Sequence, residues 1–353
     1  MDCGDTMPYV TRPRAVRAAA SLTLIGLGFA FYAMASRAPS SPNAPSLAAL
    51  GGEAQCRAYS GLPPRWQADP KAGMVQVHGG SFRFGSTRGY PDERPAAQEP
   101  TQIAAFWIDQ TEVTVAQFAS FVQATGYVTE AERQGAGVVF RVPDAAEMNA
   151  RPYAWWSFVK GADWRHPGGP GSSIEGLDAV PVTFVTKVDA LAYATWLGRD
   201  LPSEIEWEYA GKAGRTGDEL DTAPRNAAGR PTANYWQGIF PAVNAREDGH
   251  EGLAPVGCYE ANPFGLHDMI GNVWEWTRDR YSGPHQPHMN GDTAEVAAAF
   301  REHGKPSEAT VIKGGSFLCS PDFCVRYRAS ARESQEADLP TAHIGFRTVL
   351  RGT

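Results

Sequence analysis

Cysteine is scarce in this chain, five residues in 353, and no four of them cluster as the thiolate sites of structural zinc or iron–sulfur centres require. Concentrated positive charge is missing as well. With 32 Lys and Arg against 39 Asp and Glu, a net charge of -7, and no cationic stripe to track a phosphate backbone, nucleic acid is not an expected partner. The histidines (His78, His166, His250, His267, His285, His288, His303 and His343) show no H-E-x-x-H spacing. A G-x-S-x-G elbow, a P-loop and a G-x-G-x-x-G turn are also absent, so hydrolase, NTPase and dinucleotide readings have no motif to rest on.

What is present is a globular composition, 42% hydrophobic and 20% charged, with 10 Trp, 37 Gly and 27 Pro. Such counts suit irregular backbone pinned by large aromatic anchors. The N-terminus differs. Arg12, Arg14 and Arg17 precede an uncharged run over residues 18–36, close to the ~20 residues that cross a bilayer. Ala33-Met34-Ala35 also fits a signal-peptidase site. The expectation is therefore a cytoplasmic tail over 1–17, a signal anchor or signal peptide over 18–36, a linker over 37–69 and an exported body over 70–353. For an exported protein, a disulfide between Cys56 and Cys258 is left open by their spacing.

Along the body, the alternation from Met74 through Ser86 around Gly79-Gly80 predicts a hairpin, and Phe106–Val113 an extended stretch. Thr114 with Gln117 begins a helix that ends at Gly126. Lys187–Leu197 carries helical spacing, and Ser203 with Glu206 forms a second capping box. Tyr153–Trp164 and the Gly- and Pro-rich segment after it are expected to be irregular. Residues 234–277 mix Gly, Asn, Asp and Pro, and a last helix is expected over Ala294–His303.

Two places carry possible chemistry. Asn234, Asp248, Asp268 and Glu275 lie in Gly-containing segments and offer the oxygen ligands that Ca²⁺ takes, although Asx side chains in turns also simply bond their own backbone. Cys319 and Cys324 sit within Lys313–Arg328, KGGSFLCSPDFCVRYR. Two thiolates on one short turn suit Cu(I); a local disulfide is the alternative.

Several motifs occur in order: Gly79-Gly80-Ser81-Phe82, Val113-Thr114 with Phe118, Trp164-Arg165-His166-Pro167, Leu201-Pro202-Ser203-Glu204 with Glu206-Trp207-Glu208, Asn272-Val273-Trp274-Glu275-Trp276, Gly314-Gly315-Ser316 and Gly345-Phe346-Arg347. Together they resemble the formylglycine-generating enzyme (sulfatase-modifying factor) family over roughly residues 70–350. The resemblance implies a single α+β domain of the C-type-lectin-related kind, with little regular structure. It implies a Cu(I) site at Cys319 and Cys324, an active-site serine at Ser316 and Trp274 beside the substrate path. It also implies two Ca²⁺ sites, one from Asn234, Tyr235, Asp248 and His250, the other from Asp268, Gly271, Val273 and Glu275. Tyr235, His250, Gly271 and Val273 would serve through carbonyls. The implied activity uses O₂ to convert a Cys in a Cys-x-Pro-x-Arg motif of an unfolded sulfatase to formylglycine, and the N-terminal segment would place it at or beyond the membrane. Ser320-Pro321-Asp322-Phe323 departs from the family pattern of a His after the first cysteine and an Arg beyond it, and Asp268 stands where Asn is usual. Two other readings use the same fold: a lectin-like envelope binding module with a Cys319–Cys324 disulfide, and an oxidase of another substrate.

Overall fold

The computed structural model describes residues 50–90, 93, 95–151, 153–215, 224–283 and 308–352. The expected tail over 1–17, the apolar run over 18–36 and the helix over Ala294–His303 lie outside these residues. Among the described residues, no helix is long and apolar enough to cross a membrane. Packed structure starts before residue 70. Helix α1 (Glu53–Ala58) places Cys56 in a disulfide with Cys258, and Tyr59 is buried with Ala179 and Val256.

The expected hairpin does not form. Strands β1 (Met74–Val77) and β2 (Gly80–Phe82) both exist, but β1 pairs antiparallel with β4 (Phe106–Asp109) while β2 pairs with β3 (Thr101–Ile103). Gly79 lies between the two strands. A Cβ there would stand 2.8 Å from Ile103 O, so the chain passes too close to its neighbour for any side chain, and it leaves one sheet for the other.

Helix α2 (Val115–Thr125) begins at the expected capping box. The Thr114 hydroxyl accepts from Gln117 N–H, Gln117 Oε1 accepts from Thr114 N–H, and Gly126 closes the helix at φ 67°. Two shorter helices, α3 (Glu130–Gln134) and α4 (Ala145–Ala150), use the same device through Thr129 and Asp144. Between and after them, β5 (Ala136–Phe140) and β6 (Trp156–Lys160) pair antiparallel in full register. The expectation of an irregular Tyr153–Trp164 is corrected accordingly: β6 buries Trp156 and turns Lys160 outward. Helices α5 (Lys187–Trp196) and α6 (Glu204–Lys212) complete the helices among the described residues, capped by Thr186 and Ser203.

A small ribbon of β7 (Gly238–Ile239) and β8 (Val243–Asn244) precedes the sheet that positions the thiols. That sheet has the order β11-β10-β9-β12, with β9 (Trp274–Arg280), β10 (Ala309–Lys313), β11 (Arg332–Glu336) and β12 (Ile344–Gly345). β12 runs parallel to β9, and β13 (Val349–Arg351) joins β4 in the other sheet. The core is aromatic. Phe118, Phe121, Trp164, Tyr193 and Phe346 meet mostly edge to face, at centroid distances of 5.2–6.5 Å.

Buried ion pairs tie α6 to this sheet. Glu208, fully buried, accepts from Lys313 Nζ at 3.0 Å and faces Lys212 Nζ at 2.7 Å, while Gly85 N–H donates to it at 2.6 Å. Trp207 Nε1 donates to Glu275 at 2.7 Å. Removing either partner of such a pair would leave an uncompensated charge in the interior.

Candidate metal and active site

β10 ends at Lys313 and runs into a turn of two left-handed glycines, Gly314 at φ 93° and Gly315 at φ 79°. A Cβ on Gly315 would lie 2.8 Å from Arg326 O, so this turn can lie against the 326–327 backbone only as glycine. The turn delivers Ser316, whose N–H approaches Cys319 Sγ at 3.4 Å and whose hydroxyl accepts from Leu318 N–H at 3.3 Å. Ser320 and Cys324 exchange both backbone hydrogen bonds, at 3.0 and 3.1 Å, and thereby fold the segment between the cysteines into a closed loop.

The two sulfurs stand 3.4 Å apart, unbonded and buried. Burial disfavours the Cys319 thiolate, yet the hydrogen bond from Cys324, the Ser316 N–H and the Arg326 cation together hold that thiol below its ordinary value. Cys324 is pushed well up by its hydrogen bond to Cys319 and by burial. The pair therefore gives up its first proton readily and holds the second. A buried, soft, two-sulfur donor set with no carboxylate on it fits Cu(I) and would suit a hard cation poorly.

The departing segment Ser320–Phe323 is anchored from outside. Asp322 accepts from Phe240 N–H at 3.2 Å and from the Ser320 hydroxyl. Phe323 stacks on Phe240 at 4.5 Å and meets Trp155 edge-on at 5.3 Å. Trp274 is buried at the start of β9, and its N–H donates to His343 O at 2.9 Å. A cleft of about 640 Å³ adjoins this region, with Phe140, Trp236 and Phe317 among its walls and Arg141, Arg246 and Glu251 among its charged residues.

Of the first set of candidate calcium ligands, Tyr235 O and Asp248 come together. Gln237 Nε2 donates both to Tyr235 O and, at 2.7 Å, to Asp248 Oδ2. Two oxygens from separate segments thus face one point, where a cation could replace the amide. Asp248 Oδ1 accepts from His250 N–H at 3.0 Å, and Asn234 Nδ2 donates to Gly252 O at 2.8 Å.

The second set is more heavily committed. Both oxygens of Glu275 are engaged by Arg347, at 2.7 and 2.8 Å, and one also by Trp207, while Asp268 Oδ2 accepts from Gly257 N–H at 2.6 Å. Gly271 N–H donates to Gly314 O at 3.0 Å, and Val273 is buried beside it. Sequence reasoning missed Glu112, which adjoins the Val113-Thr114 motif. It is fully buried, its Oε1 accepts from Asn272 Nδ2 at 3.1 Å, and its Oε2 has no partner. Burial, and then the nearby Asp268, raise the Glu112 carboxyl well above its usual range; burial likewise raises Asp268. Glu112, Asp268 and Glu275 thus gather around the cation of Arg347, and burial pushes the first two toward their protonated forms.

Residues 59–351 match the sulfatase-modifying factor enzyme 1-like domain family. The chain belongs to the formylglycine-generating enzyme family. It is 42% identical to the formylglycine-generating enzyme of Mycobacterium tuberculosis, over 78% of this chain and 97% of that one. It is 43% identical to the formylglycine-generating enzyme of Streptomyces coelicolor, over 78% and 88%. A relative from Bos taurus named inactive C-alpha-formylglycine-generating enzyme 2 is 33% identical over 78% and 86%. The more similar relatives carry the name of the enzyme, and the inactive one lies further off in identity.

Proposed function

We propose that this formylglycine-generating enzyme family member is a copper-dependent oxidase that uses O₂ to convert the Cys of a Cys-x-Pro-x-Arg motif in sulfatases to formylglycine. One observation carries the reading: Cys319 and Cys324 are unbonded, 3.4 Å apart and shielded from water in a turn that Gly314, Gly315 and Ser316 shape. A binding module needs no such buried pair.

Cys319 and Cys324 would hold Cu(I), which supplies a soft site for a third thiolate and for O₂. The protein's own contribution is positional. Ser316 N–H and Arg326 favour a thiolate at Cys319, Trp274 would support the substrate path from beneath, being buried itself, and the Phe140–Trp236–Phe317 cleft would offer aromatic surface to the motif's proline. The substrate carbon gives up two electrons, an external thiol supplies the two more that reduce O₂ to water, and the sulfur leaves as sulfide. Asn234, Tyr235, Asp248 and His250 would hold one Ca²⁺, and Asp268, Gly271, Val273 and Glu275 a second. The Cys56–Cys258 disulfide supports maturation outside the cytoplasm, at the membrane or beyond it.

The test supplies reduced protein with Cu(I), O₂, a thiol reductant and a Cys-x-Pro-x-Arg peptide, with aldehyde read by mass spectrometry. Cys319→Ser and Cys324→Ser should each abolish both aldehyde formation and tight Cu(I) binding. Wild-type protein that gives no aldehyde, with Cu(I) affinity unchanged in Cys319→Ser, would sink the proposal.

A further inference from the structure

Asn272 stands where three separate parts of the molecule meet. It is 1% exposed, sits at φ 53°, and lies between Gly271 and Val273 of the second calcium set. Its N–H donates to Asn234 O at 2.8 Å, and its carbonyl accepts from Phe317 N–H at 2.9 Å. Its Oδ1 accepts from Asn234 Nδ2 and from Ala254 N–H, both at 3.0 Å. A second tie runs from the first calcium set. Trp236 N–H donates to Cys319 O at 2.9 Å, and Trp236 lies between Tyr235 and Gln237, whose carbonyl and amide meet at the cation point. The thiol turn over residues 314–319 is therefore bonded by backbone at Gly314, Phe317 and Cys319 to the two segments that carry the hard-oxygen ligands.

The Gln237 amide bridges Tyr235 O and Asp248 Oδ2; a cation held by those oxygens would require the amide to release them. We propose that Asn272 and the Asn234–Gln237 segment act as positioning residues that couple cation binding to Cu(I) binding at Cys319 and Cys324, so that each metal tightens the other. The proposal rests on the metal reading above. The sign follows from order: once one metal has fixed the shared segments, the other binds a turn whose freedom is already reduced. Thermodynamic linkage then requires the same factor in both directions.

The experiment uses the full chain, reduced and anaerobic. Cu(I) affinity is measured by competition with a chromophoric chelator, in excess Ca²⁺ and in EGTA, and Ca²⁺ affinity is measured by calorimetry with and without Cu(I). The expected result is a Cu(I) affinity about tenfold higher with Ca²⁺, within the usual range of allosteric coupling, and an equal factor for Ca²⁺. Asn272→Gly keeps the left-handed backbone but deletes the side-chain ties, and its factor should fall toward one while both metals still bind. Asp248→Asn, at a partly exposed position, should lower Cu(I) affinity in Ca²⁺ toward the EGTA value. If wild-type protein binds both metals with a factor under about twofold, the coupling is overturned and the metal reading stands. An Asn272→Gly factor equal to wild type overturns the role of Asn272. Wild-type protein that binds no Cu(I) overturns both readings together, and one that binds Cu(I) but no Ca²⁺, checked by competition with a fluorescent Ca²⁺ chelator, overturns the coupling and the calcium part of the reading alone.

Discussion

Replacing Glu275 with Gln separates two jobs that one carboxylate could hold. Glu275 receives Arg347 through both oxygens and Trp207 through one, and Arg347 is fully buried. Breaking such a pair from one side usually costs about 3–5 kcal/mol, because the remaining charge stays buried without a counter-ion. Two features put this site at the low end. Arg347 also donates to Asp109 O and His267 O, and the Glu112 and Asp268 carboxylates keep favouring its cation. We expect Glu275→Gln to lose about 3 kcal/mol in EGTA, read from urea unfolding followed by tryptophan fluorescence. A loss under ~1 kcal/mol in EGTA would refute the counter-ion role. A loss seen only in Ca²⁺ would assign the carboxylate to the cation instead.

Cys56→Ser opens a disulfide that spans 202 residues, and the loop-entropy estimate for that span is about 5 kcal/mol, so the denaturant midpoint should fall sharply; a shift worth under ~1 kcal/mol would show that α1 is held without the bridge. His343 is buried against the Trp156 ring, neither ring nitrogen has a partner, and burial pushes its pKa down to about 3. Because the unfolded chain takes up that proton near pH 6.5 and the folded one does not, stability should fall as pH drops below 6.5, by about 2 kcal/mol at pH 5. His343→Asn should flatten that part of the pH profile, and an unchanged slope would assign it to other groups. Phe323→Ala removes the stack on Phe240 and the edge contact with Trp155; we expect a loss of about 2 kcal/mol and a raised peptide KM at unchanged Cu(I) affinity. An unchanged KM would separate this segment from substrate handling.

The parts of the fold legible in the sequence were those whose causes are local. Thr114 with Gln117 and Ser203 with Glu206 announce their helices because a cap needs only a side chain and a backbone N–H three residues away. Thr129 with Glu132 carries the same signal but begins a helix of five residues, too short for an apolar period to support it. Strand pairing was the failure. The Met74–Phe82 stretch alternates as a hairpin does, yet β1 takes β4 as its partner, a choice decided by distant chain. At the site, the cysteine pair was visible by its spacing and by the resemblance. Glu112 was invisible, because a lone acid beside an apolar run discloses nothing of the three buried groups, Asp268, Glu275 and Arg347, that the fold brings to it.

β12 and β13 follow both cysteines in the chain and close the molecule. Ile344 pairs with Trp274, Arg347 neutralises Glu275, and Val349 joins β4 beside the opening strand. During synthesis, a chain whose two thiols have already emerged therefore still lacks the strand that seats Trp274 and the cation that balances the buried carboxylates. The thiol pair therefore reaches its final surroundings only after β12 and β13 have been made, and a chain truncated just past Arg328 would carry both sulfurs without the strand and the cation that complete those surroundings.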